Sequence, residues 1–172
     1  QPRVAVSDFG TIAHAYMEAQ LNNSPINVPN KCWLGLDNNT EKIKMVDRIC
    51  KQMAEQFKNS EIGKQAINSK EHYAEFAFKS KVVDRIIKGI IDLVFVNPDG
   101  TYTVLDYKTN QEEIPEIYYK QLACYRQAVG QMFNIETKSI NCVLFYLRSG
   151  NSVDITSECD KINLEEAVKE IS

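Results

Sequence analysis

No stretch of this 172-residue sequence approaches the ~20 apolar residues that span a bilayer, so no membrane partner is expected. No secretory leader pattern is present either. The chain opens on Gln1 instead of methionine, and it is expected to be a piece of a longer polypeptide. Its five cysteines, Cys32, Cys50, Cys124, Cys142 and Cys159, are odd in number and far apart. They form no C-x-x-C pair of the kind that holds zinc or a cluster. Several sit in apolar contexts, as buried free thiols do, and a reducing, cytoplasmic setting is expected. Internal repeats and low-complexity tracts are absent. A large excess of positive charge is missing too: the net charge is −3, which taken alone argues weakly against a nucleic-acid partner.

What is present fits one soluble domain with a substantial core. Charge is unevenly distributed. Residues 42–88 hold eleven Lys/Arg against six Asp/Glu, and residues 89–172 hold seven against thirteen. A basic half beside an acidic half suits a phosphate backbone approaching through bound cations. Solvated helix faces would explain the same distribution.

The most informative stretch is Gly89–Lys108. Two apolar runs each contain one carboxylate, Asp92 and Asp106, and Lys108 follows the second by two residues. Asn97-Pro98-Asp99-Gly100 lies between them. Pro98 suits the first central position of a type I turn and Gly100 a left-handed residue after it. A three-residue loop closed by a glycine bulge pairs Asn97 with Thr101. Counting back in that register sets Asp92 opposite Asp106, with Lys108 on the same face. A two-residue loop would separate the acids. Opposed like charges destabilise a sheet, and burying them is costly unless a cation intervenes. An exposed edge, screened by water and by Lys108, is one resolution. The flanking run Ile90, Ile91, Leu93, Val94, Phe95 and Val96 reads instead as a strand covered on both faces. A hard divalent cation with oxygen ligands is then the better resolution.

Around this hairpin the pattern predicts a helix over 8–21, an Asn- and Pro-rich loop over 22–39, and a helix from a Thr40 cap to about 58. A short helix is expected over 62–69, then strands over 73–81, 86–96 and 101–108. Pro115 opens a helix through about 133. A strand over 139–147, a short strand over 152–156 and a helix over 164–171 complete the chain. The expected class is α/β: a mixed β-sheet core flanked by helices over about 71–172, with a helical N-terminal portion over about 1–70.

Five pieces in order carry a resemblance: Gly10-Thr11-Ile12-Ala13-His14; Glu75 in the first strand; Gly89-Ile90-Ile91-Asp92; Asp106-Tyr107-Lys108-Thr109; and Gln121-Leu122-Ala123-Cys124-Tyr125. The set resembles RecB-like nuclease domains of the PD-(D/E)XK superfamily, most of all the C-terminal nuclease domains of RecB- and AddA-type helicase–nucleases. Ile91 stands where the motif has proline, which removes no ligand. The cluster cysteines of some relatives are absent, so no iron–sulfur cluster is expected.

The resemblance implies a restriction-endonuclease-like fold over residues 1–172 and a metal-dependent DNA exonuclease. It would act beside a helicase in end resection and recombinational repair, with single-stranded DNA ends as substrate. The implied cofactor is Mg²⁺, with Mn²⁺ able to substitute. The implied metal ligands are His14, Asp92, Asp106 and the Tyr107 carbonyl. The implied catalytic set is Asp92, Asp106, Lys108, Glu75, Gln121 and Tyr125. On pattern alone, His14 reads first as a helix-surface or core histidine, Lys108 as a salt-bridge partner of Asp106, and Gln121 and Tyr125 as an ordinary amphipathic face. His72 has no motif around it and reads as structural. A non-catalytic DNA-binding or scaffold module on the same fold, or a stand-alone RecB-like exonuclease of phage or CRISPR type, are the competing readings.

Overall fold

The apolar strand runs form one sheet because their neighbours cover both of its faces. The computed structural model describes residues 6–36 and 39–171; residues 1–5, 37, 38 and 172 of the expected 1–172 unit lie outside the described residues. The elements are α1 (Val6–Asn22), α2 (Asn30–Leu34), α3 (Thr40–Asn59), α4 (Glu61–Ile67), β1 (His72–Val82), β2 (Arg85–Val96) and β3 (Tyr102–Lys108). A 3-10 turn at Pro115–Tyr118 leads into α5 (Tyr119–Phe133), followed by β4 (Ile140–Tyr146), β5 (Asn151–Asp154), α6 (Thr156–Asp160) and α7 (Leu164–Ile171).

The strands lie in the order β1-β2-β3-β4-β5. β3 and β4 are parallel and the other neighbours antiparallel, so the sheet is mixed. A parallel pair needs a long crossover, and α5 supplies it. Side chains alternate between two cores. Leu93, Phe95, Leu105, Tyr107, Val143 and Phe145 pack with α1 and α3, while Val94, Val104 and Ile140 pack with α5 and α7. The expected α/β architecture with a helical N-terminal portion is therefore present. All five cysteines are free and buried. Among the described residues no helix is long and apolar enough to cross a membrane.

Several local expectations change. The loop over 22–39 contains the short helix α2. The cap of α3 is Asn39, whose side chain accepts from the backbone N–H groups of Glu41 and Lys42, and Thr40 is already helical. The strand expected over 152–156 stops at Asp154, because the Asp154 carboxylate accepts from both the N–H and the hydroxyl of Thr156 and turns the chain into α6. Pro115 opens the 3-10 turn, and the α-helix proper starts at Tyr119. His72 is structural: its Nε2 lies 3.1 Å from the Leu21 carbonyl.

The β2–β3 turn has the expected form. Gly100 N–H donates to the Asn97 carbonyl, Asn97 N–H donates to the Thr101 carbonyl, and Gly100 holds φ 86°. The ladder runs from Val96·Tyr102 to Leu93·Leu105, so Asp92 and Asp106 occupy the next rung. The β1–β2 ladder is interrupted at one rung, Glu75 opposite Asp92, between Ala74·Leu93 and Phe76·Ile91. Glu75 there holds φ 49°, a left-handed conformation rare for a residue with a Cβ. Alternation slips at the same place. Tyr73 and Phe76 both face α5, as do Ile91 and Val94. No residue is inserted, since the register is the same on both sides of the break.

Candidate metal centre and active site

The interruption lies where three acids line up across adjacent strands: Glu75 on β1, Asp92 on β2 and Asp106 on β3. Backbone strain of this kind costs ~1–3 kcal/mol and clusters at functional sites. His14 reaches the row from α1, with Nδ1 3.1 Å from Asp92 Oδ1. The other Asp92 oxygen accepts from the Tyr107 N–H at 2.7 Å. Asp92 is thus clamped between a helix and the neighbouring strand. Lys108 Nζ lies 2.6 Å from Asp106 Oδ2 and 4.0 Å above the centre of the Tyr118 ring. That contact is a buried, charge-assisted ion pair. Both aspartates are 7 % exposed, which rules out the screened-edge reading.

The electrostatics follow from burial and crowding. Burial raises the Asp106 carboxyl, the Asp92 charge raises it further, and Lys108 offsets this only in part, leaving it at about 7. Glu75 is pushed up to about 7 by burial first and then by Asp92. Burial opposes the charge on His14, yet its hydrogen bond to Asp92 and the carboxylates of Asp92, Glu75 and Asp106 win and raise it to about 9. Burial also opposes ionisation of Asp92, but His14, the Asp106 carboxyl and the Tyr107 N–H together outweigh it and hold Asp92 below its ordinary value. Burial works against the Lys108 ammonium as well, and the Asp106 charge overrides it, so the lysine is raised and stays protonated.

Ligand atoms of His14, Glu75 and Asp92 lie within 4.8 Å of one another. One nitrogen and two carboxylates converging this closely suit a divalent cation. The Asp106 carboxylate beside them, ion-paired to Lys108, is a further oxygen donor of the right chemistry. Of the expected ligands, the structure brings His14 and Asp92 together and adds Glu75. Asp106 stands next to the trio, engaged with Lys108, and Tyr107 contributes its N–H to Asp92. On α5, Gln121 donates to the Tyr125 hydroxyl at 3.1 Å. Tyr125 feels the Asp106 charge after burial, and both raise its pKa.

Of two motif glycines, Gly89 permits a close approach that a side chain would block, while Gly10 has room for a Cβ. A Cβ on Gly89 would lie 2.9 Å from the Phe78 ring and 3.2 Å from the Tyr125 hydroxyl. A Cβ on Gly10 would lie 3.6 Å from Thr109 Oγ1, so the first and fourth motifs face each other. The Arg148 side chain donates to the Thr109 carbonyl at 2.5 Å and fixes the end of β3. Sequence reasoning missed Glu18, whose charge acts on Glu75. Its i, i+4 spacing from His14 was the available signal. Tyr118, the platform for Lys108, lies outside the five motif pieces.

No curated protein matches the chain. A family profile, that of the PD-(D/E)XK nuclease superfamily, matches residues 1–170. The mixed sheet with its flanking helices is the restriction-endonuclease-like α/β fold, and the chain belongs to the PD-(D/E)XK nuclease superfamily.

Proposed function

We propose that this chain is a metal-dependent DNA nuclease that hydrolyses phosphodiester bonds at the row Glu75–Asp92–Asp106. The observation that carries the reading is the convergence of His14, Glu75 and Asp92 beside a protonated lysine. His14, Glu75 and Asp92 would hold a Mg²⁺ or Mn²⁺ ion, with Asp106 as a further oxygen donor. Such an ion, when bound, supplies Lewis acidity toward a phosphoryl oxygen and acidifies water.

The protein's own groups do the rest. His14 and the Tyr107 N–H orient the Asp92 carboxylate. Lys108, held between Asp106 and the Tyr118 ring, presents a fixed ammonium to the charge that grows on the phosphoryl oxygens. Because its neighbours hold it protonated, Lys108 works electrostatically and not as a general base. Gln121 and Tyr125 flank the site from α5 and position the lysine or the nucleic acid. Among the described residues the row presents carboxylates, His14 and Lys108 and no serine, cysteine or threonine as a covalent nucleophile, so direct attack by water fits best.

The finer likeness, to RecB- and AddA-type nuclease domains, rests on the ordered motifs from Gly10 to Tyr125. By that likeness the chain is an exonuclease fed single strands by a helicase during end resection. The test is degradation of linear single-stranded DNA with Mg²⁺ or Mn²⁺ and its loss in EDTA. Asp106→Ala and Lys108→Ala should each lower kcat by at least ~10²-fold, the scale of removing one transition-state stabiliser. Equal activity in either variant would reject the assigned site. Persistent DNA binding with no cleavage under any metal would favour the scaffold reading.

A further inference from the structure

Beyond the rung Glu75·Asp92 the β1–β2 hairpin runs on as a two-stranded arm, past the last paired residue of β3. One face of the arm is covered: Phe76, Phe78, Val82, Ile87 and Ile91 pack with α5 and α7. The opposite face is bare, and all six of its residues are exposed. Its rungs, moving away from the acids, are Ala77·Ile90, Lys79·Lys88 and Lys81·Ile86.

Four features of the arm point to a ligand. Lys79 and Lys88 are directly opposed, an arrangement that destabilises a sheet on its own. Among the described residues neither they nor Lys81 has an ion-pair partner. The arm over residues 76–91 carries four cations and one acid, Asp84. Ile86 and Ile90, 62 % and 57 % exposed, alternate with Lys88 along β2. An apolar side chain between cations offers surface to a base next to a phosphate.

We infer that this face of the β1–β2 arm binds the backbone of single-stranded nucleic acid, with Lys79, Lys81 and Lys88 on its phosphates, and leads the strand to the acidic row. The inference deepens the nuclease reading and rests on it for the direction of travel. Geometry supports the continuity. Lys79 and Lys88 lie four residues from Glu75 and Asp92, ~13 Å at ~3.3 Å per residue. A single strand is the favoured occupant because only unpaired bases can turn apolar faces onto Ile86 and Ile90.

The experiment compares wild-type protein with the triple variant Lys79→Ala, Lys81→Ala, Lys88→Ala. Fluorescence anisotropy follows a labelled oligothymidylate in EDTA, over a salt series, with a blunt duplex of equal length as second probe. Lys138→Ala, away from the arm, is the charge control. Each lost phosphate contact should lower the salt slope by ~0.7, so the triple variant should lose about two units of slope and bind about 100-fold more weakly at ~0.1 M salt. Lys→Arg replacements at the three sites should restore binding. Unchanged affinity and slope, or an equal loss in Lys138→Ala, would overturn the inference. A loss confined to the duplex would overturn the single-strand assignment. Cleavage is scored separately: intact metal-dependent cleavage with lysine-independent binding sinks the arm and spares the nuclease reading, and the reverse pattern spares the arm alone.

Discussion

Replacing Glu75 separates what its backbone costs from what its carboxylate does. At φ 49° a residue with a Cβ costs ~1–2 kcal/mol relative to its right-handed alternatives. Glycine escapes that penalty. In an ordinary strand, however, glycine is worse than alanine by ~0.5–1 kcal/mol, because it loses more freedom on folding. At position 75 the first effect exceeds the second, so the usual order should invert. Glu75→Gly should be more stable than Glu75→Ala by about 1 kcal/mol in EDTA, read as the urea midpoint at equal slope. Glu75→Gln keeps the backbone strain and removes the charge that faces Asp92, so it should exceed wild type in stability at about pH 8. All three variants should lose the rise in Tm that Mn²⁺ gives the wild type. An alanine variant as stable as the glycine variant would show that no strain is stored there. Unchanged Mn²⁺ stabilisation would show that Glu75 holds no ion.

The remaining expectations concern protons and packing. Glu75 and Asp106, both raised to about 7, stabilise the metal-free fold fully below their ordinary values of 4.5 and 3.8 and lose that contribution as pH rises through about 7. His14, raised to about 9, acts in the same direction: its contribution is complete below 6.5 and gone above about 9. Metal-free stability should therefore fall between about pH 5 and pH 9, while the Mn²⁺-induced rise in Tm grows, since His14 must shed its proton to ligate. A pH-independent Mn²⁺ effect over that range would contradict the electrostatics. Gly89→Ala places a methyl group 2.9 Å from the Phe78 ring and should cost ~1–3 kcal/mol of stability, with wild-type behaviour in urea as the refuting result.

The parts of this fold that could be read in sequence are those set by local chemistry. Asn97-Pro98-Asp99-Gly100 specifies one loop geometry, and the loop sets the register that brings Asp92 level with Asp106. Leu93–Phe95 of β2 and the runs of β3 and β4 are apolar on successive residues because helices cover both faces of the sheet there; Ile90, expected in the same covered run, is 57 % exposed because no helix reaches that face of the arm. Asn39 and Thr40 are both good caps, so only the structure decides which side-chain oxygen meets the first N–H groups of α3. The left-handed backbone at Glu75 had no signal, since glutamate is no marker for positive φ. It falls at the one broken rung of the β1–β2 ladder, and there Glu75, ahead of Asp106, has a carboxylate oxygen within 4.8 Å of the ligand atoms of His14 and Asp92. The pairing of Lys108 with Tyr118 was equally hidden, because it depends on where the 3-10 turn before α5 lies.

The most direct measurement is the anomalous scattering of Mn²⁺ in crystals of the protein. The account predicts a peak within ligand distance of His14, Glu75 and Asp92, close to Lys108, that vanishes in Asp92→Ala crystals. An ion bound elsewhere, or no ion at this site at saturating Mn²⁺, would contradict it.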